Sequence, residues 1–347
     1  MKIASSLQKN NKVEILNYSD EFVVLHEEFA KKFWPDKRRR RIESYNRWKF
    51  RGPAKGTVDG HLLAVYENKI VGQIGAIPVK LKNRDQIYDA QWICDLMVDS
   101  GHRGLGIGSR LIETAMMRDK IITLGNNPSE KAKSVMGKKG FRQLKSGRTM
   151  IYPLNPEQIL KWAVPEKAQR IIPLLRKIVQ PYFSLKTNRS KKGNTDFQSC
   201  RWEEVTSRID ERQSVVGYPQ IMHDKNFLEW RANGLENFSA GIQAMKSPEG
   251  AYALYSPFDR YLDVYDWYCP GFDTLQKMFT SILLQAINYK SDMIQLVSNS
   301  EQEESWLKKL GFIRTRSRET VLHFSKDKFI DKEDKIYFAL FDTDRNL

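Results

Sequence analysis

The stretch "WICDLMVDSGHRGLGIGSRLIETAM", Trp92 to Met116, decides the fold. It opens as a strand from Trp92 to Val98 and turns. It then passes through Arg103-Gly104-Leu105-Gly106-Ile107-Gly108 straight into a helix, with Leu111, Ile112, Ala115 and Met116 on one face. Glycines let a backbone adopt positive φ and approach an anion closely. Free amides at a helix start, aligned with the helix dipole, make a pyrophosphate site. Two other phosphate loops do not fit. The dinucleotide fingerprint follows the first strand of a βαβ unit, with an acid about 20 residues on. Here the loop follows several strands that read as antiparallel. A Walker loop needs Gly-Lys-Ser/Thr, and Ser109 follows Gly108 with no lysine between them.

On the N-terminal side, His61–Tyr66 is an apolar run and Glu67-Asn68-Lys69 turns the chain. Ile70–Val79 returns as a second strand, so the pair reads as a hairpin. On the C-terminal side, Ile121–Leu124 is a short buried strand and Ser129–Lys139 a helix. Strands with interspersed helices give a mixed α/β pattern.

The second half repeats the plan. Trp48 in "YNRWKFRG" is answered by Trp230 in "FLEWRANG", "HLLAVYE" by "GAYALYS", and "WICDLM" by "LDVYDWY". The closest pair is "SEKAKSVMGKKGFRQ" and "SEQEESWLKKLGFIR". Where the first half carries its glycine loop, the second has "CPGFDTLQ". We read a degenerate duplication. Between the halves lie the helical "ILKWAVPEKAQRIIPLLRKIV" and the polar "KTNRSKKGNTD". The helical part suits a membrane surface, but prolines at 165 and 173 interrupt it, and packing against the two domains is the favoured reading.

The 347 residues suggest about two domains. With 41% apolar and 11% aromatic residues, each half can bury a core. Cys94, Cys200 and Cys269 lie far apart, without metal spacing, which argues against a disulfide framework or structural zinc. No apolar run reaches the ~18 residues of a membrane span, the start lacks a signal-peptide pattern, and a cytoplasmic location is expected. The net charge is +15. Lys37-Arg38-Arg39-Arg40-Arg41 forms one block, and Pro156–Arg201 carries ten Lys/Arg against three Asp/Glu. Such a surface attracts polyanions: coenzyme A, nucleic acid, anionic lipid or acidic glycan.

The run Arg103-x-x-Gly106-x-Gly108 after the strand ending at Val98 resembles the coenzyme A motif of the GNAT (N-acetyltransferase) superfamily. Asn126-Asn127, Ala132 and Lys139-Gly140-Phe141 resemble its closing motif, and the likeness spans about Glu14 to Pro153. The resemblance implies an α/β (α+β) fold of two GNAT-like domains, each a mixed, mostly antiparallel sheet flanked by helices. Residues 1–153 would be the acyl-CoA-binding catalytic domain, 154–200 a basic helical linker, and 201–347 a degenerate copy. Pantetheine would bond backbone groups near Leu96, Met97 and Val98. The amides of Arg103, Gly104, Leu105, Gly106, Ile107 and Gly108, with Ser109, would hold the pyrophosphate. Asn127 would touch pantetheine or acceptor, or else serve as a turn or cap residue.

Acyl transfer to an amine needs a deprotonated amine and a polarised thioester carbonyl. The family often places a tyrosine, as acid toward the thiol, where this chain has Met136; the repeat has Leu307 there. Asp95 is the first choice for base, ahead of Asp89, Tyr88 and His61, and His102 is a phosphate neighbour. Tyr261, Tyr265, Trp267 and Tyr268 are core residues or acceptor contacts. The leading expectation is acetyl transfer from acetyl-CoA, with no metal, to an amine of a small molecule or glycan. The oligomeric state is left open. Two alternatives are a tRNA-dependent aminoacyl transferase of the tandem type, and a non-enzymatic acyl-CoA protein that binds polyanions; nucleic acid is the less favoured partner.

Overall fold

The structure, a computed structural model, describes residues 12–35, 41–53, 60–118, 122–178, 196–238, 241–315, 320–325 and 335–342. Lys37 to Arg40 of the first basic block and nearly all of "KTNRSKKGNTD" lie outside the described residues.

The N-terminal half supplies β1 (Glu14–Asn17), β2 (His61–Tyr66), β3 (Lys69–Asn83), β4 (Gln86–Val98), β5 (Ile122–Asn126), β6 (Arg142–Lys145) and β7 (Arg148–Pro153). Its helices are α1 (Val23–Phe33), α2 (Glu43–Arg51), α3 (Ile107–Met116), α4 (Glu130–Lys138) and α5 (Pro156–Ala163). Glu67 and Asn68, at φ 47° and 59°, form the two-residue turn that joins β2 to β3. Positive φ at both positions matches the right-handed twist of the flanking strands. β3 and β4 run longer than the sequence pattern suggests and pair antiparallel from Asn83↔Gln86 to Gly72↔Val98. α3 carries the chain across to β5, which lies parallel to β4.

The C-terminal half supplies β8 (Gln198–Cys200), β9 (Gln220–Ile221), β10 (Gln243–Lys246), β11 (Tyr252–Phe258), β12 (Tyr261–Tyr268), β13 (Met293–Ser298), β14 (Ile313–Arg314) and β15 (Thr320–Ser325). Its helices are α6 (Thr206–Val215), α7 (Lys225–Phe238), α8 (Phe272–Asn288) and α9 (Glu301–Leu310). The first sheet runs β1-β2-β3-β4-β5-β15-β6, with β9 added on β3; the second runs β8-β10-β11-β12-β13-β7-β14. Position by position the two orders correspond, including the parallel pairs β4–β5 and β12–β13.

The halves exchange a strand. β7, from the first half, lies between β13 and β14, and β15, from the second, lies between β5 and β6. The turn from β6 to β7 therefore crosses between sheets at Gly147. A Cβ there would sit 2.4 Å from Val297 Cγ1 and 2.8 Å from the Ser298 carbonyl oxygen. A chain boundary near residue 153 does not separate the two sheets, because each is completed by hydrogen bonds to the other half.

Trp48 and Trp230, paired by sequence, meet in space. Each indole N–H donates to the other's backbone carbonyl, at 2.8 and 2.9 Å, with the rings 5.5 Å apart. Such reciprocity is what a two-fold contact produces. Around it one apolar cluster takes Phe50, Val79, Trp92 and Leu124 from the first half and Phe227, Tyr265, Val297 and Phe341 from the second. The junction is thus built as core. Among the described residues, no helix is long and apolar enough to cross a membrane.

Candidate functional site

The loop entering α3 is shaped by local chemistry. Asp99 Oδ1 accepts from the Gly101 amide at 3.0 Å, and its Oδ2 pairs with Lys32 at 2.9 Å. The Lys32 hydrogen bond, helped by that amide, holds the Asp99 carboxyl below its ordinary value. Gly104 and Gly106 take φ of 87° and 73°, and a Cβ on either would meet nothing within 4 Å. Conformation, not crowding, calls for glycine there. Gly106 is the N-cap of α3, and no side chain caps the helix. The first intrahelical bond runs from the Arg110 amide to the Gly106 carbonyl. The Ile107, Gly108 and Ser109 amides are therefore the orphan donors of the first turn. Arg103 folds back so that Nε donates to the Val98 carbonyl at 3.2 Å, and Leu105 points to solvent.

Next to this loop the sheet opens. The β4–β5 pairing stops at Ile93↔Gly125, while β4 continues along β3 to Val98. Leu96, Met97 and Val98 therefore have no strand partner on the β5 side. A cavity of about 290 Å³ occupies the gap. It is lined on one side by Leu96, Asn127, Ser129, Ala132 and Met136, and reaches through to Ile77, Val79 and Trp92 on the other face. Two buried polar atoms in its wall, Asn126 Oδ1 and Trp92 Nε1, have no hydrogen-bond partner among the described residues. Asn127 turns the chain at φ 40°, and the Ser129 hydroxyl caps α4.

Asp95 sits on the cavity wall at an irregularity in β4, where pairing with β3 slips between Gln73 and Gly75. Its own φ is 50°, the left-handed region that Asp tolerates better than most residues. Its Oδ2 pairs at 2.6 Å with Lys49 Nζ, from α2, and both side chains are buried. Gln73 Nε2 donates to the Asp95 carbonyl at 3.4 Å, and Gln73 Oε1 meets His26 Nε2 at 2.8 Å. His26 in turn packs edge-on to His61, and burial lowers the pKa of both imidazoles.

The opposite wall comes from the second half: Phe227, Trp230 and Arg231 of α7, with Phe341 and Asp342 near the chain's end. Asp342 accepts from the Ala339 amide at 2.8 Å and faces His223 Nε2 at 2.9 Å. His223 Nδ1 lies 2.7 Å from Asp266, which Arg212 also holds at 3.1 Å. Burial alone would lower the His223 pKa, but Asp342 and Asp266 together raise it to about 9. Two carboxylates, Asp95 and Asp342, thus line one cavity, each backed by a buried cation.

Several of the weaker candidates fall elsewhere. Asp89 pairs with Lys80 at 3.4 Å near the far end of β4, where Tyr88 contacts Gln86. His61 is fully buried between Tyr18 and Phe50. His102 sits beside Asp99, 3.6 Å away, on the loop. Tyr265 stacks on Phe341 at 4.7 Å and Trp267 donates to the Val297 carbonyl, so both are core. Met136 does line the cavity, and its Cε would lie 3.0 Å from a Cβ at Gly125. Lys49, Arg231, His223 and Asp342 were not singled out from sequence. Lys49 and Arg231 had a signal, as the residues that follow Trp48 and Trp230 in the repeated tryptophan motif. Among the described residues no cluster of His, Cys, Asp and Glu could hold a metal.

By sequence, residues 58–143 match the family described as "Acetyltransferase (GNAT) domain". No curated protein matches the chain by sequence. By structure it is similar to a GCN5-related N-acetyltransferase from Anabaena variabilis, with TM-score 0.59 and 12% identity over 90% of this chain and 72% of that one. It is also similar to Saccharomyces cerevisiae N-myristoyltransferase with bound myristoyl-CoA, with TM-score 0.57 and 15% identity over 92% and 84%. A putative acetyltransferase from Pyrococcus horikoshii gives TM-score 0.55 and 14% identity over 93% and 92%. Residues 58–143 therefore form an acetyltransferase (GNAT) domain, set in a chain whose fold is that of GNAT-type transferases.

Proposed function

We propose that the protein moves an acetyl group from acetyl-CoA to an amine of a small molecule or amino sugar by direct transfer. The observation that carries this reading is the cavity in the β4–β5 gap beside an uncapped helix start whose glycines hold positive φ. The amides of Arg103 to Ser109 bind the pyrophosphate, and the open edge at Leu96, Met97 and Val98 takes the pantetheine arm. Asn127 and the unpartnered Asn126 Oδ1 lie along the same path.

In the reaction the neutral amine attacks the thioester carbonyl carbon, the C–N bond forms, and the C–S bond breaks. The amine's proton passes to a carboxylate, for which Asp95 is the choice in the N-terminal half. The thiolate leaves as the anion or takes a proton from water, because the Met136 thioether has none to give. The second half, with no glycine loop, serves as the wall that closes the acceptor side. The corresponding strand orders and the reciprocal tryptophans support reading it as a degenerate copy. Use of a coenzyme A thioester fits a cytoplasmic site of action.

A second reading concerns the donor. The apolar wall of Ile77, Val79, Phe227 and Phe341 would also suit an acyl chain longer than acetyl, as the likeness to the N-myristoyltransferase suggests. The unpartnered Trp92 Nε1 on that side favours a polar occupant instead.

Calorimetric titration of acetyl-CoA into the protein and into Gly106→Glu tests the proposal. Binding of one equivalent per chain, lost in the folded variant, is the expected result. No binding by the folded wild type would overturn it. A parallel titration with longer acyl-CoA thioesters separates the two donors.

A further inference from the structure

The segment after α5 was expected to pack against the domains, and it does so on one side only. Ile172 is 5% exposed and anchors the helical stretch 172–178 to the protein. On its other side Ile171, Leu174 and Ile178 are 44%, 64% and 67% exposed. Their spacing of three and four residues places them in one stripe on a helix. A core helix needs one apolar face, and this segment carries a second that stays largely exposed among the described residues. Exposed single apolar residues are ordinary; three in register are not.

Charge surrounds the stripe. Lys167, Arg170, Arg176 and Lys177 are all exposed, against Glu166 as the one acid of the segment. The cleft of about 550 Å³ between this segment and α5, walled by Lys161, Arg176 and Lys177, opens on the Ile172 side, away from the stripe. Glu157 pairs with Lys161 at 2.9 Å and Arg176 at 3.1 Å, so the cleft keeps a net positive charge. An apolar stripe flanked by exposed Lys167, Arg170 and Lys177 is the pattern of a helix lying in a bilayer interface. The apolar residues enter the acyl boundary and the cations meet anionic headgroups.

We propose that residues 166–178 dock the protein on the surface of an anionic lipid bilayer. Nucleic acid is the poorer fit, because a phosphate backbone has no use for three aligned aliphatic side chains, whereas the interface of a bilayer buries them. The proposal does not depend on the transfer chemistry, since the segment lies outside the GNAT domain and shares no residue with its cavity.

Flotation with vesicles of phosphatidylcholine alone, and of equal parts phosphatidylcholine and phosphatidylglycerol, tests it. The full-length protein should bind the anionic vesicles, release them as salt rises, and ignore the neutral ones. Leu174→Asp/Ile178→Asp should bind at least about tenfold more weakly, since each carboxylate is repelled by the surface and each lost side chain no longer inserts. Lys167→Glu/Lys177→Glu should weaken binding while the apolar stripe stays intact. Circular dichroism and retained acetyl-CoA binding show that the variants are folded. Three results would overturn the proposal: equal binding of wild type and the aspartate variant, binding to single-stranded RNA but not to vesicles, or a wild-type dimer that the aspartate variant converts to monomer.

Discussion

His223 makes the folded state's stability depend on pH in a predictable direction. It lies between Asp266 and Asp342, which hold its proton up to about 9, against 6.5 for an ordinary imidazole. At 1.36 kcal/mol per pH unit, that difference is worth about 3 kcal/mol of folding stability. Below 6.5 the folded and unfolded chains both carry the proton and the contribution is complete. Between 6.5 and about 9 only the folded chain binds it, so stability falls as pH rises, and above about 9 the contribution is gone. Urea unfolding of the wild type and of His223→Gln, at about pH 6 and about pH 9.5, measures it. Other groups shift too: burial raises the pKa of Cys200 and Cys269. They are present in both proteins and cancel in the comparison. The wild type should exceed the variant by about 3 kcal/mol more at the lower pH than at the higher. A gap that is independent of pH, or that widens as pH rises, would refute the argument that the two carboxylates hold His223 charged.

Other variants probe the junction and the cavity wall. Gly234→Ala would place a Cβ 1.7 Å from Trp48 Cζ2. The indole must then move, losing its Nε1 hydrogen bond to the Trp230 carbonyl and its ring contact with Trp230; a loss of about 3 kcal/mol by denaturant unfolding is expected, and one under ~1 kcal/mol would show that the junction adapts freely. Asp95→Asn keeps a side chain that accepts φ 50° but removes the carboxylate from buried Lys49. It should destabilise by about 3 kcal/mol, and Asp95→Asn/Lys49→Met should recover part of that. If Asp95 acts only through structure, the stabilised double variant will also recover turnover; if it takes the amine's proton, turnover stays low.

Much of the site was legible because it is local. The Gly104 and Gly106 conformations, the uncapped start of α3, the Glu67-Asn68 turn and the α4 cap at Ser129 are each settled by residues within a few positions. Those residues act through φ/ψ preference and short-range hydrogen bonds. Trp48 and Trp230 could be matched as a pair, although nothing in either motif said that they touch. The sequence pattern marks β4 only from Trp92, because residues 86–91 alternate weakly and are held by pairing with β3 opposite.

What the sequence by itself determined is the glycine loop, the strand before it, the helix after it, and the matching tryptophan motifs of the two halves. Only the tertiary structure decided that β7 and β15 change places, since a strand's apolar pattern specifies that it is buried and not which strand it pairs with. The exchange helps make one core of the two halves, and that core brings Arg231 and Asp342 to the wall facing Asp95. Lys49, 46 residues from Asp95 in the chain, meets it where α2 packs on the first sheet. Charges at such separations find one another only when packing removes water around them, and no short window of sequence records that.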